Sequence, residues 1–380
     1  MATRSKYKIG VDARLLAEPI TGIGRYTYEV LSRLVHMGHE WVLYSHKPLT
    51  IGDWSLVNVK IRSLNISGRT ARMLWAQSIL PLWAKADHVD VFWSPAHRIP
   101  KFLDSEISSV VTIHDLVWKH APETMRPLSR FLDSRLMPAA IRRANKVIAV
   151  SEHTKCDLLN EVPSALGKTS TIYLGVDFKV HSGPTPIFKI ASDAPEFFLF
   201  VGTLEPRKNL ERLLQAFAII PSQIRQDIKL FIVGGKGWGG INLNSLLRKF
   251  GLQDSVKIFG YVSDEQLGEL YSRAMFLAMP SLYEGFGLPL VEAMACGTPV
   301  LSSNLSSMVE VVGGAGVLVD PWSVESISVG LVRLLGDSEL RRGLSIQGVI
   351  RSKFFNWDNT ARKTMEVLIQ ASDLRASKSQ

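Results

Sequence analysis

Two glutamates eight positions apart flank a short glycine-rich segment, and their chemistry suits the recognition of hydroxyl groups. Glu284 and Glu292 lie in the stretch SLYEGFGLPLVEAMACGTPV. A diphosphate repels a carboxylate, whereas neutral hydroxyls such as those of a sugar donate hydrogen bonds to it. The two acids therefore indicate contacts with different parts of one hydroxyl-rich ligand. The alternative is structural, with Glu284 a solvated loop residue and Glu292 the ion-pair partner of a nearby base.

The segment between the two acids predicts the start of a short helix. Pro289 suits the first helical turn and Gly297 the position just past the last, so we expect a helix from near Leu288 to Cys296. The amino end of a helix carries roughly half a positive charge and binds phosphate through its unpaired N–H groups. The amides expected to join it are those of Gly285, Phe286 and Gly287.

A pair of bases follows a predicted strand upstream. Arg207 and Lys208 lie in VGTLEPRKNLERLLQAF, where an apolar strand gives way to a loop and then to an amphipathic helix starting near Asn209. Cations in such a loop can reach a phosphate bound at the strand ends. The alternative is that both side chains only increase solubility.

A second glycine-rich turn occurs near the start of the chain. Gly22 and Gly24 stand between a predicted strand and a helix in DARLLAEPITGIGRYTYEVL, the place of a phosphate-binding loop. Thr27 stands where a dinucleotide fingerprint requires its third glycine, so the pattern disfavours NAD binding. The alternative for both glycines is a tight turn.

Polar residues recur where predicted strands of the first half end. His114 and Asp115 follow one strand, Ser151 another, and Ser94 and His97 a third. The carboxyl ends of parallel strands meet at one edge of a sheet, so these side chains should converge on one ligand site. A buried structural role is the alternative for each histidine.

Length and composition restrict the class of protein. The 380 residues exceed one ordinary core, and 46% hydrophobic with 21% charged residues is typical of folded domains. The net charge of +9 favours an acidic partner, but the bases are dispersed and no nucleic-acid-binding motif occurs. Cys156 and Cys296 form no disulfide framework, and the GxSxG, P-loop, HExxH and zinc-cluster patterns are absent. No signal peptide or stretch of about 20 apolar residues is present, so we expect a cytoplasmic protein.

Short apolar runs alternate with helical patterns in two sets, which predicts an α/β protein with two doubly wound, Rossmann-like domains facing a cleft. We expect an N-terminal domain over 1–180 and a C-terminal domain over 195–355. The proline-bearing stretch 176–196 suits the connection between them. A C-terminal helix over 356–374 could pack back on the first domain.

Taken in order, the motifs TGIGRYTYE, TIHDL, AVSEHTK, LGVD, VGTLEPRKN and EGFGLPLVE resemble family 4 of the retaining glycosyltransferases, over nearly the whole chain. The resemblance implies the GT-B fold, with a sugar nucleotide bound by the C-terminal domain and the acceptor by the N-terminal domain. It also implies that Glu284 contacts hydroxyls of the donor sugar and Glu292 those of the ribose. The backbone amides implied to hold the sugar and diphosphate are those of Phe286, Gly287 and Leu288.

The same resemblance assigns roles to the charged residues. Arg207 and Lys208 would neutralise the departing diphosphate, Gly22 would press against it, and His114 would face the transferred sugar. No metal or other cofactor is expected, because cations and a helix end can do the electrostatic work of a divalent ion. The further residues placed at the site are Gly24, Thr203, Asp115 and Ser151.

Two positions depart from the family pattern. Many members carry arginine where this chain has Thr203, so we expect Arg207 to supply that guanidinium. The hinge asparagine is replaced by Leu174. The implied reaction retains the anomeric configuration, and we expect a front-face mechanism in which the leaving phosphate deprotonates the acceptor.

The stretches IGVDARLL, TGIGRYTYE and VGTLEPRKNL are most similar to those of bacterial mannosyltransferases of surface-polysaccharide assembly, which implies GDP-mannose as donor and a lipid-linked saccharide as acceptor. Residues 62–86 mix bases with large apolar side chains, as a surface docked on the inner face of an anionic membrane would, or the apolar side chains pack inward. No nucleic-acid partner is expected. The alternatives are another donor (UDP-glucose, UDP-N-acetylglucosamine or dTDP-rhamnose), a GT-B epimerase or phosphorylase, and a catalytically silent sugar-nucleotide-binding protein.

Overall fold

The structure is a computed structural model that describes residues 6–18, 21–49, 52, 54, 58–177, 196–225, 227–235, 237 and 242–376. The chain divides into two compact units. The first holds the described parts of Met1–Leu116, Phe131–Gly175 and Trp357–Gln380, and the second those of Val117–Arg130 and Val176–Asn356. The predicted boundary over 180–195 lies outside the described residues.

One parallel sheet organises the first unit. Its strands are β1 (Lys8–Asp12), β2 (Glu40–Ser45), β3 (Val59–Ser63), β4 (Val91–Ser94), β5 (Ser108–Ile113), β6 (Lys146–Ala149) and β7 (Thr169–Thr171). They lie in the order β3-β2-β1-β4-β5-β6-β7, all parallel. Strand β1 has β2 on one side and β4 on the other, so the direction of winding reverses between β1 and β4.

A second parallel sheet organises the second unit. Its strands are β8 (Glu196–Val201), β9 (Ile228–Val233), β10 (Val256–Gly260), β11 (Leu277–Met279), β12 (Val300–Ser303) and β13 (Gly316–Val319). The order is β10-β9-β8-β11-β12-β13, so the winding reverses between β8 and β11. Both units therefore have the predicted doubly wound architecture.

Helices connect the strands, as parallel pairing requires. In chain order they are α1 (Gly22–Leu34), α2 (Arg69–Ala86), α3 (Val117–His120), α4 (Pro127–Arg143), α5 (Glu152–Glu161), α6 (Leu210–Ala218), α7 (Ser222–Arg225), α8 (Leu243–Phe250), α9 (Asp264–Arg273), α10 (Leu288–Ala295), α11 (Ser307–Val312), α12 (Val324–Gly336), α13 (Ser338–Ser352) and α14 (Trp357–Ala376). None of these described helices combines the length and apolarity needed to cross a membrane.

Aromatic side chains from sheet and helices fill the core of the second unit. Phe198 of β8 packs edge-on against Phe217 of α6, with ring centroids 5.0 Å apart, and stacks on Phe276 at 5.1 Å. All three side chains are fully buried. This packing explains why β8 reads in the sequence as a continuous apolar run.

Two parts of the first unit differ from the sequence prediction. Strands β3 and β7 were not predicted, because both lie at sheet edges and their sequences, VKIRS and TST, carry too few apolar residues to mark a buried strand. The predicted continuous domain over 1–180 is also interrupted, since Val117–Arg130 groups with the second unit. There Val117 and Ala121 pack with Tyr283, and this contact decides the grouping.

The last helix belongs to the first unit. Helix α14 lies along α1 and against strands β4, β5 and β6. Gly175 makes room for it, because a side chain there would come within 2.2 Å of the backbone nitrogen of Trp357. The first unit is thus completed by the final residues of the chain.

Candidate active site

Three predicted site residues form one ion-paired group, which we call the second-unit cluster. Arg207 and Lys208 follow β8, and Glu284 follows β11. One carboxylate oxygen of Glu284 lies 2.6 Å from Arg207 Nη1, and the other lies 2.6 Å from Lys208 Nζ. Doubly wound sheets bind ligands where the winding reverses, outside the carboxyl ends of the strands. The second-unit cluster occupies that place.

Burial and charge together fix the protonation of the second-unit cluster. Glu284 is 5% exposed and Lys208 8%. Burial by itself would raise the pKa of Glu284, but the charges of Arg207 and Lys208 outweigh it and bring the pKa to about 2. Burial lowers the pKa of Lys208, and the charge of Glu284 opposes that change. Arg207 also pairs with Glu205 at 3.1 Å, so any anion that binds here competes with carboxylates for the bases.

Close backbone contacts shape the loop that carries the two bases. A side chain at Gly234 would lie 2.0 Å from the carbonyl oxygen of Gly202, so only glycine fits where the loops after β8 and β9 meet. The loop then turns through Pro206–Lys208 and ends at Asn209, whose φ of +60° is left-handed. Asparagine is one of the few residues that tolerate this conformation.

Asn209 also joins this loop to two others. Its side chain is buried, and Nδ2 donates hydrogen bonds to the carbonyl oxygens of Pro280, at 2.9 Å, and Pro321, at 2.7 Å. Its Oδ1 accepts a hydrogen bond from Arg212. The loops after β8, β11 and β13 are therefore fixed by one amide. Sequence analysis used Asn209 only to mark the start of a helix and missed this role.

The predicted helix after the glycine-rich loop is confirmed as α10, Leu288–Ala295, with Pro289 in its first turn. Gly287 precedes it with a φ of +99°, a conformation that glycine adopts without strain. Pro289 has no N–H and the N–H of Leu290 donates to the carbonyl oxygen of Gly287 at 3.0 Å, so the helix end offers the N–H of Leu288. The helix end with its positive partial charge therefore starts four residues after Glu284.

Two serines that the sequence analysis missed support the glycine-rich loop. Ser306 Oγ accepts a hydrogen bond from the backbone N–H of Glu284 at 3.1 Å. Ser307 Oγ donates to the carbonyl oxygens of Glu284 and Phe286, at 2.8 and 3.2 Å. The available signal was the serine-rich stretch SSNLSS at the end of an apolar run.

Glu292 lies apart from the second-unit cluster, inside α10. It is 6% exposed, and one of its carboxylate oxygens accepts a hydrogen bond from the hydroxyl of Tyr271 at 3.0 Å. Burial raises the pKa of Cys296 to about 12, with a contribution from the charge of Glu292. The two glutamates thus have different partners within the protein.

In the first unit, His114 is a buried neutral imidazole. Its Nε2 lies 2.7 Å from the carbonyl oxygen of Pro95, so this nitrogen carries the proton. The ring stacks on His97 with centroids 5.4 Å apart and meets Tyr26 edge-on at 4.8 Å. Burial, together with the nearby His97, lowers the pKa of His114 to about 3. The remaining acceptor of the ring is Nδ1.

The predicted glycine loop of the first unit is instead the first turn of α1. The helix begins at Gly22, and Thr21 caps it by accepting a hydrogen bond from the backbone N–H of Gly24 at 3.4 Å. A side chain at Gly22 would meet no atom within 4 Å. Because a threonine cap starts the helix early, the two glycines lie within it and not in a loop before it.

The other predicted residues differ in their surroundings. Ser151 is fully buried and caps α5, accepting a hydrogen bond from the backbone N–H of Thr154 at 2.9 Å. Burial lowers the pKa of His97, and the charge of Asp115 offsets part of that change. In the second unit, the carbonyl oxygen of Thr203 accepts a hydrogen bond from the backbone of Glu205 at 2.8 Å.

The apolar side chains of the stretch 62–86 are in part buried and in part exposed. Trp75 is buried, whereas Leu74 and Leu82 are 61% and 66% exposed. Arg62 pairs with Asp87 at 2.9 Å. Arg72 and Lys85 are also paired with carboxylates.

Comparison with known proteins agrees with this architecture. Residues 20–180 match Glycosyltransferase Family 4, and residues 186–349 match Glycosyl transferases group 1. The chain is 31% identical over 367 residues to the O-antigen chain mannosyltransferase B of Escherichia coli, covering 91% of this chain and 95% of that protein.

Two solved structures share the fold. WaaG, a glycosyltransferase involved in lipopolysaccharide biosynthesis, superposes with a TM-score of 0.76 at 19% identity, over 95% of this chain and 99% of its own. Anabaena HepE in complex with UDP-glucose superposes with a TM-score of 0.69 at 18% identity, over 98% and 100%. Both sheets, the ordered motifs and these matches lead to one conclusion: the chain belongs to family 4 of the glycosyltransferases and has the GT-B fold.

Proposed function

We propose that the protein transfers mannose from GDP-mannose to a lipid-linked saccharide during the assembly of a bacterial surface polysaccharide. The donor and the acceptor are inferred from the resemblance in sequence and from the mannosyltransferase that matches most of the chain. One observation carries the assignment. Two bases, an ionised carboxylate and a helix end lie together where the direction of winding of the second sheet reverses.

In this proposal the second unit binds the donor. Arg207 and Lys208 share their charge between Glu284 and the diphosphate, and the amides of Phe286, Gly287 and Leu288 complete the phosphate site. Glu284 accepts hydrogen bonds from the donor sugar, and Glu292 from the ribose. Because these groups supply the charge that stabilises a departing diphosphate, we propose that transfer needs no metal. Activity in excess EDTA tests this point.

The transfer follows a front-face course that retains the anomeric configuration. The bond from the sugar C1 to the diphosphate oxygen breaks, the acceptor oxygen bonds to C1 on the same face, and its proton passes to the departing phosphate. His114 contacts the transferred sugar without acting as the base, since its pKa of about 3 makes the ring a weak proton acceptor. His114→Ala should reduce turnover more than donor affinity, and an NMR coupling constant of an inverted product would contradict retention.

The acceptor reaches the protein at the inner face of the cytoplasmic membrane. Support comes from the exposed Leu74 and Leu82 of α2 and from the exposed Lys85 near the end of the same helix. Acidic lipids attract such basic and apolar surfaces. Leu74→Ser with Leu82→Ser should weaken sedimentation with phosphatidylglycerol vesicles and leave donor binding unchanged.

A donor screen tests the proposed function. Thermal stability is measured with GDP-mannose, UDP-glucose, UDP-N-acetylglucosamine and dTDP-rhamnose, followed by assays for released nucleoside diphosphate and glycosylated acceptor. A cognate donor at about a hundred times its Kd should add about 2.7 kcal/mol of stability. Stabilisation by another donor alone would contradict the assignment of GDP-mannose as donor. An epimerised donor would indicate an epimerase. Stabilisation without turnover would indicate a binding protein.

Variants locate the donor within the molecule. Arg207→Gln with Lys208→Gln should abolish stabilisation by the donor, because two charge-assisted contacts with the diphosphate are lost. Lys249→Gln is the matched control, since this lysine forms an exposed ion pair with Glu211. Unchanged donor affinity in the double variant would contradict the proposed site.

A further inference from the structure

The first unit carries its own charged group at the carboxyl edge of its sheet, which we call the first-unit cluster. Glu18 follows β1 and its short 3-10 helix, His46 and Lys47 follow β2, and Arg72 lies in the first turn of α2, which comes after β3. Strands β1, β2 and β3 are neighbours in the sheet. Four side chains far apart in the sequence therefore meet where doubly wound sheets bind ligands.

All three bases of the first-unit cluster converge on a single carboxylate. Glu18 Oε1 lies 2.9 Å from Arg72 Nη1 and 3.3 Å from His46 Nε2, and Oε2 lies 3.2 Å from Lys47 Nζ. The side chains of Glu18, Lys47 and Arg72 are 35%, 34% and 38% exposed. The cluster is thus open to a ligand from solution.

The charges do not balance. Burial lowers the pKa of His46, and the charge of Arg72 lowers it further, so the imidazole is neutral at neutral pH. Lys47 and Arg72 then bring two positive charges to the one negative charge of Glu18. A guanidinium offers five N–H donors, and Glu18 uses the Nη1 group of Arg72. The first-unit cluster has both charge and donors for a second anion.

A separate observation concerns His46. The residue is 2% exposed, and within the described part of the chain its Nδ1 has no hydrogen-bond partner. A buried polar atom without a partner costs free energy. With its proton on Nε2, towards Glu18, His46 is held as a neutral ring behind the two exposed bases.

We propose that the first-unit cluster binds a phosphate group of the acceptor substrate, with Lys47 and Arg72 on the phosphate oxygens. The inference rests on the proposed function, because it is the acceptor that brings this phosphate. The ligand class is a phosphate ester or diphosphate with hydroxyls beside it, as in a lipid-diphosphate saccharide. Glu18 holds the two bases in place without ligand and is the group with which the phosphate competes.

Inorganic pyrophosphate is the probe for this site. The full chain is first saturated with the nucleoside diphosphate that stabilises it most, so that the second-unit cluster is occupied, and pyrophosphate is then titrated by calorimetry. We expect a further binding event that Lys47→Gln with Arg72→Gln weakens about a hundredfold, at about tenfold for each lost charge-assisted contact. Lys85→Gln is the control, since Lys85 lies on the same helix but pairs with Asp104 at 2.9 Å.

Glu18→Gln should change the affinity for pyrophosphate in the direction opposite to that of the Lys47 and Arg72 double variant. Removing the competing carboxylate should tighten pyrophosphate binding, by up to about tenfold. A residue that only supports the fold would weaken binding or leave it unchanged when replaced. The absence of a further binding event, or one that Lys47→Gln with Arg72→Gln leaves intact, overturns the proposed site.

Two more measurements identify the source of the phosphate. In transfer assays the Lys47 and Arg72 double variant should raise the KM for the acceptor while the KM for the donor stays unchanged. Sedimentation with phosphatidylglycerol vesicles should be equal for wild type and double variant, and a selective loss in the variant would assign the site to a lipid headgroup and contradict the acceptor. Calorimetry of pyrophosphate binding needs no turnover and therefore tests the anion site by itself. A failed transfer assay would overturn the proposed function and leave the calorimetric result for the anion site standing.

Discussion

Each unit carries a glutamate paired with one lysine and one arginine, to which the first unit adds the neutral His46. Glu284 with Arg207 and Lys208 in the second unit, and Glu18 with Lys47 and Arg72 in the first, each place two bases on one carboxylate at the edge of a parallel sheet. The side chain of Glu284 is 7% exposed and that of Glu18 is 35% exposed. The two clusters therefore differ mainly in how deeply their carboxylates are buried.

The difference shows what burial adds to a charged cluster. In the second unit the carboxylate is held between its partners and its pKa falls to about 2, so protonation and geometry are both fixed. In the first unit burial would raise the pKa of Glu18, while Lys47, Arg72 and His46 lower it, and solvent screens all of these charges. A buried cluster is thus pre-organised for one ligand, whereas an exposed one can rearrange around different anions.

The largest expected effect follows from neutralising the buried carboxylate. Glu284→Gln leaves Lys208 buried beside Arg207 without its main counter-charge, so the free energy of unfolding should fall by about 3–5 kcal/mol. The pKa of about 2, against an ordinary value of 4.5, corresponds to about 3 kcal/mol by itself. Urea denaturation at neutral pH measures the change.

Glu205→Gln is the control for that experiment. Glu205 also pairs with Arg207, at 3.1 Å, but its side chain is 23% exposed, so the loss should stay within about 1 kcal/mol. Equal losses for the two variants would show that burial does not distinguish the acids.

The next effect concerns the amide that holds the second-unit loops together. Asn209→Asp keeps the acceptor for Arg212 but removes the donor to the carbonyl oxygens of Pro280 and Pro321. It should cost about 1–3 kcal/mol, because the two carbonyls lose their partner. Calorimetric donor titrations should show weaker binding as well, since Lys208 directly precedes Asn209. Donor affinity equal to that of wild type would show that the loop is held without this side chain.

An effect that is smaller per pH unit appears as a dependence of stability on pH in the first unit. Below its ordinary pKa of 6.5, His114 takes up a proton in the unfolded chain, but in the folded protein only near pH 3. Stability from this residue is therefore present above pH 6.5 and is lost as the pH falls towards 3, by up to about 1.4 kcal/mol per pH unit. His114→Asn should reduce this slope, as measured by urea denaturation at several pH values in that window. An unchanged slope would mean that other groups cause the loss.

The smallest effect is expected in the exposed cluster. Glu18→Gln should change the free energy of unfolding by no more than about 1 kcal/mol, because the charged partners Lys47 and Arg72 remain solvated. The same denaturation measurement as for Glu284→Gln gives the value. A loss as large as that of Glu284→Gln would contradict the conclusion that burial makes the two clusters energetically different.

The sequence predicted the architecture because both sheets are parallel and their central strands are buried. Strands such as β8, EFFLFV, need apolar side chains on both faces and so stand out as continuous runs. Edge strands need none, and β3 and β7 were missed for that reason. The segment Val117–Arg130 could not be assigned either, since its packing on Tyr283 depends on contacts far apart in the chain.

The site residues of the second unit were predictable by type and position, but their partners were not. Glu284, Arg207 and Lys208 were each expected at the edge of the sheet, yet their pairing spans 76 and 77 positions of sequence and leaves no local pattern. The side chains of Ser306, Ser307 and Asn209 form hydrogen bonds with backbone groups. Asparagine and serine are common in turns of any kind, so their residue type alone did not mark these positions. Gly22 and Gly24 were misplaced because a threonine cap and a phosphate loop look alike in sequence.

The position of helix α14 has a consequence for how the chain is made. Trp357 and Leu368 are buried in the unit that contains the first residues of the protein. A ribosome synthesises chains from the amino end, and domains tend to fold in that order as they emerge. Here the first unit lacks part of its core until helix α14 has been synthesised, so the second unit can mature first. A premature stop shortly before Trp357 would thus damage the end of the protein farthest away in sequence.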